Sequence, residues 1–215
     1  MSLATDKPVK DFASALGEAV GKLIEDGIRS IVKSLVEEYH MEIYSGKLFD
    51  KIGIDFEIDL PIFKEGKPVA LIDIKYLRYK KHARDKGSWI VVAHNRLKAT
   101  FPTIKKSLVI LLGTGWTDKA KKLISTSCTD IISVDPPLLD RILSEYNVRF
   151  SWDERDEETP KLSWQNFCKL TKEELDEIKE RIIEESGIKE KIRNWFKKYI
   201  LETDPEEKLK LDYTC

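Results

Sequence analysis

Carboxylates set into apolar strands are the residues of this chain best suited to chemistry. From Ile52 to Tyr76 the sequence reads IGIDFEIDLPIFKEGKPVALIDIKY. Two runs rich in Ile, Val, Leu and Phe flank the polar cluster Lys64-Glu65-Gly66-Lys67-Pro68, a pattern that predicts a β-hairpin. In the first run Asp55, Glu57 and Asp59 alternate with Phe56, Ile58 and Leu60, which places three acids on one strand face. In the second, Asp73 and Lys75 share a face and Ile74 takes the other. Three acids on one face repel one another unless a cation sits among them. Hard divalent cations take oxygen ligands, and a neighbouring lysine offsets the charge of a phosphate. The chemistry these residue types suit is metal-assisted attack on a phosphate ester.

The charge pattern points the same way. Counting Lys plus Arg against Asp plus Glu gives 9 and 14 over residues 1–74, 13 and 2 over residues 75–122, and 15 and 22 over residues 123–215. A strongly basic middle thus sits between acidic flanks, although the net charge of the whole chain is only -1. The basic segment begins at Lys75 itself, and cations attached to a carboxylate cluster are what phosphate-backbone binding beside metal chemistry requires. Tyr76 to Arg84 interleaves cations with aromatics, and Arg78, Lys80, Lys81 and Arg84, with Arg96 and Lys98 further on, are the candidate nucleic-acid contacts. His82 and His94 lack a partner at metal-ligand spacing and read as surface or satisfied core residues.

The elements that must position these residues follow from periodicity. Asp11 to Tyr39 carries apolar residues at three-and-four spacing, an amphipathic helix with Asp11 or Ser14 as its cap. Gly17, Gly21 and Gly27 weaken that helix intrinsically and imply close packing against it. Glu18 and Glu25 stand two turns apart and can share a face. His40 to Asp50 reads as a connection or a short strand. Ser88 to Thr100 reads two ways: the β-branched trio Ile90-Val91-Val92 argues a strand, while Trp89, Val92, Ala93, Arg96 and Leu97 at helical spacing argue a helix capped by Ser88. Ser107–Leu112 predicts a strand buried on both faces, Gly113-Thr114-Gly115 a turn, Thr117-Asp118 a cap for the next helix, and residues 131–134 a last strand before a helix over 138–146. The strand and helix alternation is an α/β pattern. Arg149 to Thr159 reads as a linker closed by Pro160. Thr171 with Glu174 makes a capping box, opening helical periodicity that runs to Leu201 with a pause at Gly187. The residues after Asp204 are expected to fray.

At 215 residues, 41% apolar and 35% charged, the composition suits one domain, or one domain and an appendage. No apolar run is long enough to span a membrane. Cys128, Cys168 and Cys215 are too far apart in sequence for a disulfide framework or a zinc site, so a reducing, cytoplasmic setting is expected.

An acid near the end of one strand, a hairpin turn, and Asp73-Ile74-Lys75 closing the next strand resemble the PD-(D/E)xK nuclease superfamily, which includes type II restriction endonucleases and Holliday-junction resolvases. The resemblance covers residues 15 to 135. Gly21-Lys22-Leu23-Ile24-Glu25 is similar to the first-helix Gly-x-x-x-Glu of resolvase-like members, in which the Glu supplements the metal site. The proline departs from the pattern: it follows Asp59 as Leu60-Pro61 instead of preceding it, which leaves Asp55 and Glu57 as rivals for the first acid.

The resemblance implies an α/β fold with a restriction-endonuclease-like mixed central sheet flanked by helices. The nuclease core would occupy 1–148 and a C-terminal helical extension 149–215. Asp59 and Asp73 would ligate Mg2+ with the Ile74 carbonyl and Glu25, and Lys75 would act on the water or the transition state. The expected activity is hydrolysis of double-stranded DNA at a specific site by a homodimeric type II restriction endonuclease. The alternatives are a structure-specific repair or recombination nuclease and a non-catalytic nucleic-acid-binding module.

Overall fold

The structure, a computed structural model, describes residues 11–153 and 155–202. The expected fraying after Asp204, and Cys215, lie outside those residues. Its frame is a ten-residue strand, β5 (Lys67–Tyr76), whose run of Val, Ala, Leu and Ile is buried through most of its length. Antiparallel to it lies β4 (Leu60–Lys64), joined by a two-residue turn. Glu65 (φ 52°) and Gly66 (φ 72°) are both left-handed there, the twist a tight hairpin needs. β1 (Glu42–Ile43) adds antiparallel outside β4. On the other side of β5, β6 (Lys106–Leu112) and β7 (Thr129–Ser133) pair parallel, giving a five-stranded mixed sheet in the order β1-β4-β5-β6-β7. The parallel pairs need crossovers, supplied by α2 (Ala83–Thr100) and α3 (Asp118–Ser125).

Alternation along β5 assigns its side chains to two layers. Ile72 and Ile74 join the main core with Val20 and Ile24 of α1 (Phe12–Glu38), while Leu71 and Leu77 pack with Leu97 and Ile90 of α2 in smaller clusters on the opposite face. Asp73 and Lys75 therefore share the α2 face. Asp11 caps α1 through Ser14 N–H, and Gly17 admits the Tyr76 ring so closely that a Cβ there would lie 2.4 Å from it.

The C-terminal helices belong to the same core. α4 (Pro136–Ser144), α5 (Glu158–Phe167), α6 (Lys172–Glu185) and α7 (Ile188–Phe196), followed by a π-helical turn (Lys197–Leu201), contribute Phe167, Ile182 and Phe196 among others to the apolar cluster that contains α1. The Trp195 indole N–H donates to Asp130 at the edge of the sheet at 2.9 Å.

Three expectations are corrected. Asp55 and Glu57 are not on the strand that leads into the hairpin. β3 (Asp55–Phe56) instead pairs with β2 (Leu48–Phe49) in a separate two-stranded sheet, and Asp59 precedes β4. The buried stripe of α2 is Ala83, Gly87, Ile90, His94 and Leu97, so Trp89 and Val92 face outward. A helix, α5, occupies the end of the expected linker, because Pro160 sits in its first turn, where proline's missing N–H is not needed. A further correction concerns the cysteines: Cys168 is an exposed free thiol as expected, but Cys128 is disulfide-bonded, so their separation in sequence did not exclude a disulfide and the inference of a reducing setting drawn from it falls. No helix among the described residues is long and apolar enough to cross a membrane.

Candidate functional site

Where the β4–β5 ladder runs out, side chains replace backbone. The last paired residues are Leu60 and Ile72. One step beyond, Asp59 N–H donates to Asp73 Oδ1 at 3.1 Å, and Ile74 N–H donates to Asp59 Oδ2 at 2.7 Å. Each carboxylate takes the N–H that a longer strand would have satisfied through its backbone, which holds both acids at the same end of the hairpin. Lys75 Nζ then reaches both, 2.9 Å from Asp59 Oδ2 and 3.2 Å from Asp73 Oδ1. Of the three rival first acids, Asp59 is the one in contact with Asp73 and Lys75. Asp55 instead pairs with Lys47 at 2.6 Å.

A second layer fixes Asp73. Its residue is 2% exposed and His94 is 0% exposed. His94 Nε2 lies 3.0 Å from Asp73 Oδ2, and Nδ1 lies 3.2 Å from Thr129 Oγ1. An ionised carboxylate can only accept, so Nε2–H is the donor. Thr129 Oγ1 is held in turn by Ser107 at 2.9 Å and Ser127 at 2.8 Å. A buried chain of polar groups thus runs from the acid to the far strands. His94, one of the two histidines read from sequence as a surface or satisfied core residue, is the second kind and is the link in this chain. The signal for it is its place on the apolar stripe of α2, where a polar residue demands a partner.

The electrostatics separate the two acids. Burial alone would push the Asp73 carboxyl up, but the His94 hydrogen bond and the charge of Lys75 outweigh it and hold Asp73 well below the usual carboxylate range. Asp59 goes the other way: burial first, then the charge of Asp73, raise it above its ordinary value despite Lys75. Burial works against the Lys75 ammonium, yet the two carboxylates overcome it and raise its pKa, so Lys75 stays protonated.

Glu25 stands one residue away from this group. Arg29 Nη2 connects them, 3.3 Å from Glu25 Oε1 and donating to the Asp59 carbonyl at 3.2 Å. Glu25 and Glu18 face a cleft of about 610 Å³ that Ile74 and Lys86 also line. A second cleft, about 330 Å³, lies on the α2 face beside Asp73 and Lys75, between Asp55 of the small sheet with Glu57 just after it and Lys86 and Trp89 of α2. Lys86, which borders both, was not among the sequence candidates, nor was Arg29.

The candidate DNA contacts divide. Lys80, Lys81 and Arg84 are exposed. The Arg78 guanidinium lies 3.8 Å from the Trp152 ring centroid, and its buried Nε has no hydrogen-bond partner among the described residues. Arg96 is turned to the buried Asp50, which also accepts from the Ile52 and Ile54 N–H groups, so it anchors the small sheet to α2. Lys98 donates to the Ser127 carbonyl at 2.7 Å and the Cys128 carbonyl at 3.1 Å, and burial followed by the charge of Lys106 pushes its pKa down to about 8. Arg96 through its Nε and Lys98 through its ammonium therefore brace the fold from within.

Among the described residues no group of three or more His, Cys, Asp or Glu is arranged to hold a metal ion. Mg2+ does not need one. It keeps several waters and binds through one or two carboxylates plus substrate phosphate oxygens. Asp59 and Asp73, converging on one ammonium and carrying one more negative charge than Lys75 offsets, fit that requirement, with the Ile74 carbonyl as an oxygen donor on the same strand. No family model, curated protein or solved structure matches this chain.

Proposed function

We propose that the chain is a metal-dependent endonuclease that hydrolyses DNA phosphodiester bonds, with a restriction-endonuclease-like core. The observation that carries this reading is the convergence of Asp59, Asp73 and Lys75 at the open end of one hairpin, beside clefts edged by exposed cations.

Hydrolysis forms a P–O bond to water and breaks one P–O bond to a sugar oxygen, and negative charge grows on the phosphoryl oxygens between the two. Asp59 and Asp73 would hold Mg2+ together with the Ile74 carbonyl. When bound, such an ion polarises the phosphate and lowers the pKa of the attacking water. Lys75, whose ammonium lies between the two carboxylates, would orient the water or supply positive charge to the pentavalent transition state. His94 positions Asp73 by holding the carboxylate oxygen that Lys75 does not touch. Lys80, Lys81, Arg84 and Lys86 supply the charge that draws the DNA backbone in.

Within this class the leading form cuts duplex DNA at a specific site as a homodimer, like a type II restriction endonuclease. The placement of Glu25, tied through Arg29 to Asp59, favours a second form, a structure-specific nuclease. Incubation of the purified protein with long duplex DNA and with flap and junction DNA, with and without Mg2+, tests both. Metal-dependent products that disappear in Lys75→Ala support the reading, with discrete duplex fragments marking the first form and cutting confined to flaps or junctions the second. Cleavage equal in the wild type and the variant, or none on any substrate, overturns it.

A further inference from the structure

Trp89 is 69% exposed. An indole offers a flat apolar face on which a planar ring can stack, with one polar N–H at its edge. It lies on the turn of α2 after Lys86 and borders the 330 Å³ cleft that also reaches Asp73 and Lys75. The cleft is the size of a small-ligand site, far too small for a duplex.

The charge of the cleft discriminates between the parts of a nucleotide. Glu57 and Asp55 line it opposite α2, with Asp73 at its base. A phosphate held against that wall would face three carboxylates with only the ammonium groups of Lys75 and Lys86 to offset them, a lining that is negative on balance. A nucleobase is neutral, and its exocyclic amino groups are donors that an exposed carboxylate such as Glu57 can accept from. Phosphates are better placed along Lys86, Arg84, Lys81 and Lys80, at and beyond the rim. In continuous duplex DNA, base faces are covered by their neighbours, so an aromatic face beside the reacting phosphate serves only a base that has left the stack.

We propose that the cleft between β3 and α2 receives an unpaired nucleobase stacked on the Trp89 indole, which makes single-stranded or locally unpaired DNA the substrate class of the neighbouring site. This rests on DNA being the substrate of the Asp59–Asp73–Lys75 group, and it selects the structure-specific form of that nuclease over cutting of intact duplex, because the strand must be unpaired where it enters.

The test is equilibrium binding by fluorescence anisotropy at low salt in EDTA, so that no hydrolysis occurs. The probes are a labelled single strand of about 15 nucleotides, within the span that such proteins cover, and the blunt duplex of the same sequence. The wild type is expected to prefer the single strand. Trp89→Ala should weaken single-strand binding about 5- to 150-fold, the range of one lost base stack. Trp89→Phe should recover most of that, and duplex binding should change less than about twofold. Single-strand binding that is absent in the wild type, unchanged in Trp89→Ala, or lost in step with duplex binding overturns the proposal. Because no metal is present, the result stands apart from hydrolysis. DNA cleavage that needs Lys75 but is indifferent to Trp89 would sink the stacking site and leave the nuclease, and Trp89-dependent binding without cleavage on any substrate would do the reverse.

Discussion

Two carboxylates sharing one ammonium leave the Asp59–Asp73–Lys75 group with an excess negative charge in a largely buried place, and the acid that bears the strain is Asp59. Its pKa is raised in the folded protein, so its contribution to stability is fully present below the unfolded carboxylate value and is lost as pH rises through the folded one. Asp73, held low, contributes the opposite way: its stabilisation is present above the unfolded value and is lost as pH falls through the folded one. In metal-free buffer Asp59→Asn is therefore expected to be more stable than the wild type at neutral pH, by about 0.5–2 kcal/mol, with the difference shrinking as pH falls below the folded pKa of Asp59. Urea unfolding at a series of pH values measures this, and an advantage that grows on acidification would contradict it. His94→Leu leaves one oxygen of a buried, ionised Asp73 without its donor, and a loss of about 1–3 kcal/mol is expected in the same assay. A loss under half that would mean that the histidine is incidental.

At the scale of elements, the C-terminal end of β5 is pinned by the turn that follows β6. Gly113 has φ +90°, and a Cβ on it would lie 2.4 Å from the Leu77 carbonyl oxygen. The Gly115 N–H donates to that same carbonyl at 2.8 Å, and the Trp116 indole N–H lies 3.2 Å from the Lys75 carbonyl. Gly113→Ala is expected to cost roughly 1–3 kcal/mol through overpacking and a strained backbone, read as a lower urea midpoint, and a neutral result would show that this turn does not hold the strand. The second arm of the hairpin was legible because ALIDIKY has period two and Gly66 marks the turn. The first arm misled, since DFEIDLPIF keeps the same period across the point where the chain leaves one sheet for another. Periodicity reports which face a residue takes within a strand, not which strand lies beside it. The small sheet and the rotated face of α2 were beyond the pattern for that reason, and with them the second cleft.

For the whole molecule, the charge blocks mark where phosphate could approach, but Arg96 and Lys98 show that a cation count does not tell a surface contact from an internal brace. The C-terminal helices, read as an extension, share one apolar core with α1 and the sheet. Ile182→Ala, in α6 and fully buried, is accordingly expected to cost about 2–5 kcal/mol and to lower the single unfolding transition of the whole chain. A separate early transition would show that the extension is an independent unit. The claim on which the rest depends is that Asp59 and Asp73 hold one divalent cation between them. Titration of Mn2+ into the protein, followed by electron paramagnetic resonance of the free ion, measures that most directly. One site is expected in the wild type, weakened at least about 10-fold by Asp59→Asn. An unchanged affinity in that variant, or no bound ion in the wild type, would contradict the account.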